Sequence, residues 1–276
     1  FQIDLASDVA AGGRLDYLEW TASPPAVAEL VGEVDPWQVE TAQVTQFTYA
    51  IRPTIGVDDP GFDHLEISVK GGRLVSIDGV RIGGEQVAFT RVEEGADRLV
   101  VGVPKVDIDR TEEVIEVDFQ GEIFRYGATF SGRVFDSETP QDIRQLVQPG
   151  NATSLRDGNT LSVQAFSLGS QILSALDLGG GICTPNGDGV NDALDVSYDL
   201  LKLATPTPVV VEVRDLAGRL VRQVYDGLDV AGRHVRRWDG LDGHGQRVNP
   251  GVYICRVEVE TEQGRRQRSG VVSVAY

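Results

Sequence analysis

The run Thr184-Pro185-Asn186-Gly187-Asp188-Gly189-Val190-Asn191-Asp192 carries the densest cation-binding chemistry in the chain. Asn186 and Asp188 place side-chain oxygens at alternate positions with a glycine between them, Asp192 follows, and the Val190 carbonyl adds a further donor. A hard cation such as Ca²⁺ takes six to eight oxygens from a chain able to curl around it. The spacing therefore predicts a calcium loop with Asn186, Asp188, Val190 and Asp192 as ligands. The twelfth-position Glu of an EF-hand is missing, which points to a weak site suited to calcium at extracellular concentrations. The competing reading is a pair of Asn-Gly and Asp-Gly turns whose side chains cap their own backbone.

Catalytic chemistry is sparse. Of three histidines only His64 lies in the first half, beside Asp63. Neighbours on a regular strand point to opposite faces, so the pair is not expected to form a dyad. Gly-x-Ser-x-Gly, His-Glu-x-x-His and phosphate-loop patterns are absent from the sequence. A glycosidase would need two facing carboxylates, but Glu93-Glu94 and Glu112-Glu113 read as solvated surface. A non-enzymatic protein is expected. In the second turn-rich block, Trp238-Asp239-Gly240-Leu241-Asp242-Gly243-His244-Gly245, Trp238 reads as a core plug, the Asp-Gly pairs as turns and His244 as solvated.

The elements that must position these residues are strands. Phe47, Tyr49 and Ile51 alternate with polar neighbours, as do Leu65, Ile67 and Val69. Gly71-Gly72 reads as a hairpin turn into Leu74 to Ile77. Apolar runs recur at Leu99 to Val103, Val114 to Phe119, Ile123 to Phe130 and Leu161 to Phe166, with a turn expected at Gln120-Gly121. Helical signals are confined to a turn opening at Thr139-Pro140 and to Ser23 to Leu30. After a weakly patterned stretch through Gly179-Gly180-Gly181, strands are predicted at Leu194 to Leu200, Val209 to Arg214, Arg219 to Tyr225, His234 to Trp238, Val252 to Val259 and Val271 to Tyr276. The expected fold is all-β, with two β-sandwich domains: residues 1–168, an acidic sandwich, and residues 169–276, an immunoglobulin-like one.

Composition narrows the function classes. The net charge is −17, and residues 1–168 hold 28 acidic against 13 basic side chains. Such a surface cannot neutralise phosphates, so no nucleic-acid partner is expected. No apolar run approaches the roughly 20 residues of a transmembrane helix. The sequence contains no Met and begins at Phe1, which leads us to expect an exported product whose signal peptide has been removed.

Four blocks carry a family resemblance: Thr184 to Asp192, Asp215-Leu216-Ala217-Gly218-Arg219-Leu220-Val221, Trp238-Asp239-Gly240 and Gly251-Val252-Tyr253. On these residues the region 183–276 resembles the immunoglobulin-like module of the flagellar hook-capping family. It is also similar to the C-terminal domains of gliding-motility and type IX secretion cargo proteins. The resemblance implies export, a cell-surface or extracellular setting and in some members a C-terminal sorting role; it implies no enzymatic activity. Export permits a disulfide, and Cys183 with Cys255 would staple the domain's entrance to a core strand. Two separate buried thiols are the alternative.

Phe1, Ile3 and Leu5 alternate from the first residue, the pattern of an apolar strand that can complete a neighbour's sheet; pairing within its own domain is the simpler alternative. The functional expectation is a structural or assembly protein of the cell surface, a subunit of an extracellular filament, layer or envelope complex. The alternative is an adhesion module in which the first sandwich binds a glycan or a surface protein, with Trp20, Trp37 and Tyr49 as candidate contacts.

Overall fold

The computed structural model describes residues 25–139, 143–154, 159–166, 171–262 and 264–276. Within them the chain forms two separate hydrophobic cores, one drawn from residues between Ala26 and Ala165 and the other from residues between Leu173 and Val274. Every layer is β-sheet; among the described residues the helical content is one 3₁₀ turn, Ile108–Arg110.

The first core lies between two sheets. One sheet orders its strands Gln148–Pro149, Glu29–Asp35, Thr45–Thr54, Ile115–Ile123, Gly72–Ile82 and Glu85–Gln86. The other runs Gln38–Glu40, Ser162–Phe166, Gly127–Phe135, Phe62–Lys70, Arg98–Val106 and Thr90–Glu94, with Gln145–Leu146 also paired to Gly127–Phe135. Strand alternation sends Phe47, Tyr49, Ile51, Leu65, Ile67 and Val69 inward, and all six are buried. At the centre Phe47 and Phe119 of one sheet meet Phe130 of the other, with ring centroids 5.2–5.5 Å apart. This aromatic trio ties the two layers together.

Several sequence expectations change here. Gly71-Gly72 is not a hairpin turn: Phe62–Lys70 and Gly72–Ile82 belong to different sheets, and Gly71 carries the chain across the sandwich. Its φ of +89° is open to glycine at little cost, and its carbonyl accepts the amide of Phe124 at 3.0 Å. Likewise Gln120-Gly121 lies inside Ile115–Ile123, and the chain changes sheet beyond Ile123. The face of the Phe47 ring lies 3.3 Å from where a Gly121 side chain would begin, so the glycine serves packing rather than turning. Ser23 to Leu30 is not helical in its described part, because Glu29 and Leu30 open the strand Glu29–Asp35. Beyond Thr139 the described chain is extended, and residues 140–142 of that expected helical turn lie outside the described residues.

In the second core, Leu173–Asp177, Leu194–Leu200 and Gly232–Trp238 form a three-stranded sheet. It faces a five-stranded one ordered Ile182–Cys183, Gly264–Val274, Gly251–Thr261, Thr207–Asp215 and Leu220–Asp229. Tyr253, Cys255, Val257 and Val259 share the inward face of their strand and are buried against Val209, Val211 and Val213 of its neighbour's inward face. The fold is all-β throughout, and the second core is an immunoglobulin-like sandwich.

Contacts join the two cores. Arg233 holds Asp199 of its own sandwich through paired hydrogen bonds of 2.8 and 3.0 Å, while its Nη1 reaches Oε1 of Glu122 in the first sandwich at 3.2 Å. The other Glu122 oxygen accepts from Arg73 Nε at 2.9 Å. The Lys202 amide also donates to the Phe124 carbonyl at 2.9 Å, and Lys202 Nζ lies 5.6 Å from the Tyr126 ring centre.

Candidate functional site

The 184–192 loop brings Asn186, Asp188 and Asp192 together, but their oxygens bind the loop itself. Asn186 Oδ1 accepts the Asp188 amide at 2.9 Å, and Asp188 Oδ1 accepts the Val190 amide at 2.8 Å. Asp188 Oδ2 takes the Asn186 carboxamide at 3.0 Å. Asp192 receives the amides of Gly187 and Gly189 at 2.6 and 2.7 Å, and these two bonds hold its carboxyl below the usual aspartate range. The Val190 carbonyl accepts the Thr184 hydroxyl at 2.8 Å. The loop supplies two carboxylates, and among the described residues no three His, Cys, Asp or Glu side chains gather as a metal-binding group. Six to eight oxygens are needed around Ca²⁺. The geometry fits a chain of capped turns better than a calcium cage.

Cys183 and Cys255 are both buried and both free, so the expected disulfide is not formed. Strand register gives the reason. Cys183 pairs with Val274, Val274 pairs with Gly251, and Cys255 lies four residues further along that last strand. Two strand spacings across and four residues along separate the Cα atoms by about 16 Å, far beyond the roughly 7 Å a disulfide spans. Cys183 instead packs beneath Gly240, its Sγ 3.4 Å from where a side chain on that glycine would begin. Burial raises both thiol pKa values, that of Cys255 to about 12.

Trp238 plugs the second core. It is 1% exposed, its indole Nε1 donates to the Leu241 carbonyl at 2.8 Å, and its ring meets Tyr253 edge-on at 6.0 Å. Asp242 accepts the amides of His244 and Gln246, each at 2.9 Å, and these bonds lower its pKa. Gly240 has φ +72° and no room for a side chain, since Pro185 Cγ would stand 2.6 Å from its Cβ. His244 is exposed.

The same blocks line an open cavity of about 790 Å³ between the Asp215–Arg219 turn and the 242–249 loop. Three of its charged groups are engaged within the fold: Arg219 Nε donates to Asp215 Oδ2 at 2.7 Å, and the Asp242 carboxylate holds its own loop. At the opposite end of the strand Leu220–Asp229 a buried cluster centres on Asp229, which accepts from Tyr198 at 2.7 Å, Tyr225 at 2.8 Å and Arg236 at 2.6 Å. Burial opposes ionisation of Asp229, but these bonds outweigh it and its pKa falls.

In the first sandwich Tyr49 is fully buried and Trp37 is 40% exposed. Trp20 and Phe1 to Leu5 lie outside the described residues. Burial removes Tyr49 from the candidate glycan contacts. The structure also brings together a pair that strand alternation argued against. His64 Nδ1 and Asp63 Oδ1 are 2.7 Å apart where the ladder shifts register: Phe62 pairs with Val106 but His64 with Gly102, so the extra residues of the bulge lie on the partner strand around Pro104. Ser137 donates to Asp63 through its amide at 2.8 Å and through its hydroxyl. Burial raises the Asp63 pKa, but the bonds from Ser137 and His64 more than offset this and lower it. The available signal was on the partner strand, where Pro104 interrupts Arg98–Val106 as strands allow at a bulge.

The architecture thus defines an all-β chain whose second sandwich is immunoglobulin-like. Residues 191–264 match the FlgD Ig-like domain family, confirming the module that the four sequence blocks indicated. No curated protein matches the chain. Among solved structures, latent PorU from Porphyromonas gingivalis is 13% identical, with a TM-score of 0.32 over 92% of this chain and 20% of that one. The N-terminal domain of a Streptococcus gordonii adhesin is 9% identical, with a TM-score of 0.36 over 51% of this chain and 33% of its own. The major pilin subunit of Bacillus cereus is 10% identical, with a TM-score of 0.32 over 89% and 66%. The chain therefore spans less than two thirds of the length of each of these proteins.

Proposed function

We propose that this chain is a non-enzymatic structural or adhesion component of a bacterial cell surface, a subunit of an extracellular layer, filament or envelope complex. The observation that carries the reading is the Arg73–Glu122–Arg233–Asp199 ion chain across the two sandwiches. It joins the cores into one stiff unit, which suits a load-bearing surface element. The FlgD Ig-like match to residues 191–264 supports a module of exported proteins. In this reading the 186–192 loop acts as a self-capped entrance to that module and needs no calcium. Strand donation by Phe1 to Leu5 remains the proposed route of self-assembly.

The test is protease shaving of intact producing cells, followed by immunodetection of the chain in shaved, soluble and envelope fractions. Loss of the chain on shaving supports surface exposure. A chain that stays protected in the soluble cytoplasmic fraction overturns the proposal.

A further inference from the structure

The sequence dismissed Asp63–His64, yet the pair borders a cavity that the surface reading leaves without a role. His64, Gly102 and Thr90 stand side by side on three adjacent strands, since Gly102 pairs with His64 on one side and Thr90 on the other. All three lie on the outer face of the sheet, opposite buried Leu65 and Val101. A Cβ on Gly102 would stand 2.4 Å from Thr90 Oγ1 and 3.4 Å from His64 Nε2. The Thr90 hydroxyl therefore takes the room a side chain at residue 102 would need, and His64 Nε2 lies beside it. A cavity of about 270 Å³ opens there, walled on its apolar side by Phe89, Val103 and Pro104.

The chemistry of the notch selects its ligand. In the tautomer that donates Nδ1–H to Asp63, His64 presents the Nε2 lone pair as an acceptor. Thr90 offers a hydroxyl that both donates and accepts. Neither atom has a hydrogen-bond partner among the described residues. An anion would meet the Asp63 carboxylate and a first half carrying 28 acidic against 13 basic residues. A metal cation would find one imidazole, and among the described residues no group of three His, Cys, Asp or Glu ligands. A neutral ligand with adjacent hydroxyls and an apolar face satisfies every group present: one hydroxyl donates to Nε2, another exchanges with Thr90, and the C–H face lies along Phe89.

We propose that the notch over Gly102 is a binding site for an uncharged terminal sugar, with His64 and Thr90 as its polar contacts. Its volume falls just below the roughly 300–1,000 Å³ of drug-sized pockets, so it admits a single ring. Single-ring contact is weak, and useful affinity would come from multivalent display. The inference rests on the surface reading only for its choice of a glycan as partner.

The full chain, multimerised on streptavidin, is to be screened on an array of neutral glycans. Saturation-transfer NMR with free galactose, mannose and N-acetylglucosamine then reads the monomeric contact. We expect array binding by the wild type, and at least a tenfold loss in Gly102→Ala, which fills the notch and leaves His64 in place. His64→Gln and Thr90→Val should lose binding to a similar degree, while the thermal midpoint reports that each remains folded. Absence of binding to every neutral glycan overturns the site, as does binding that survives both Gly102→Ala and His64→Gln. Cell shaving is independent of sugar binding, so a surface-exposed chain that binds no glycan would sink this inference alone.

Discussion

Removing Arg233 tests the ion chain most directly. Arg233→Ala deletes both hydrogen bonds to Asp199, at 2.8 and 3.0 Å, and the 3.2 Å contact with Glu122. The two carboxylates are then left in different positions. Glu122 is 2% exposed but keeps Arg73, whereas Asp199 is 5% exposed and loses its bidentate partner. Breaking one side of a buried pair costs about 3–5 kcal/mol. The guanidinium is 35% exposed, so water can replace part of what is lost. We therefore expect about 2–3 kcal/mol, falling mainly on the second sandwich. At about 4–8 °C per kcal/mol for a domain of this size, its midpoint should drop by roughly 10–20 °C. Calorimetry measures the drop, and hydrogen exchange assigns it to peptides from residues 171–276. Asp199→Asn in the Arg233→Ala background should recover most of the loss, because the uncompensated charge is the main penalty. A midpoint shift below about 3 °C, or a double variant no more stable than the single one, would refute the reasoning.

Two further outcomes follow from the second sandwich. Asp192→Asn should lower the thermal midpoint at neutral pH by weakening acceptance from the Gly187 and Gly189 amides, while calcium and chelator leave the wild-type midpoint unchanged; a rise of several degrees with millimolar calcium would restore the cation reading. Because folding depresses the Asp192 pKa below 3.8, its contribution is complete above that value and disappears as pH falls through the lower folded value. The midpoints of the wild type and of the Asp192→Asn variant should therefore converge in strong acid and differ at neutral pH. For the cysteines, thiol titration under non-reducing conditions should find two free thiols after denaturation and almost none reactive in the native state; a single band shift on reduction would contradict the register argument.

Much of the fold was legible because burial imposes a strict period of two on a strand with one dry face. Phe47-x-Tyr49-x-Ile51 and Tyr253-x-Cys255-x-Val257-x-Val259 both obey it, and both are buried as their spacing requires. Trp238 was legible for a related reason: a large apolar ring beside tight turns has one place to go. What failed was connectivity. Gly71-Gly72 looks like a hairpin because glycine marks a change of direction, but a hairpin and a crossing between two sheets ask the same of the local backbone. Which partner a strand finds is fixed by packing far away in sequence, such as Phe130 against Phe47. The disulfide failed similarly, since two inward-facing cysteines can share one core at opposite ends of it. Asp63–His64 was missed because the bulge lies on the partner strand, out of reach of an argument from local alternation.

The blocks that carry the family resemblance share a single physical task. Pro185 lies over Gly240, Trp238 binds the Leu241 carbonyl, Asp192 gathers the Gly187 and Gly189 amides, Asp215 accepts the Arg219 amide, and Tyr253 donates to the Asn249 carbonyl. Each contact fixes a turn or loop of the second sandwich, and all but the first use a polar group that would otherwise be open to a ligand. Side chains committed in this way identify a module and leave little chemistry to distinguish one bearer of it from another. The first sandwich is arranged differently: the absence of a side chain at Gly102 lets the Thr90 hydroxyl lie over it, with His64 Nε2 alongside at the edge of a cavity. A glycine in a regular strand loses backbone entropy and buries nothing, so its presence needs a local cause. At Gly121 that cause is the Arg73 carbonyl and the Phe47 ring, 3.2 and 3.3 Å from where Cβ would stand; at Gly102 it is the Thr90 hydroxyl, 2.4 Å away at the edge of the cavity. Alanine at either position should therefore lower the thermal midpoint, at Gly102 by forcing the Thr90 hydroxyl aside and at Gly121 by pressing on Phe47 and the Arg73 carbonyl, but only Gly102→Ala should abolish ligand binding.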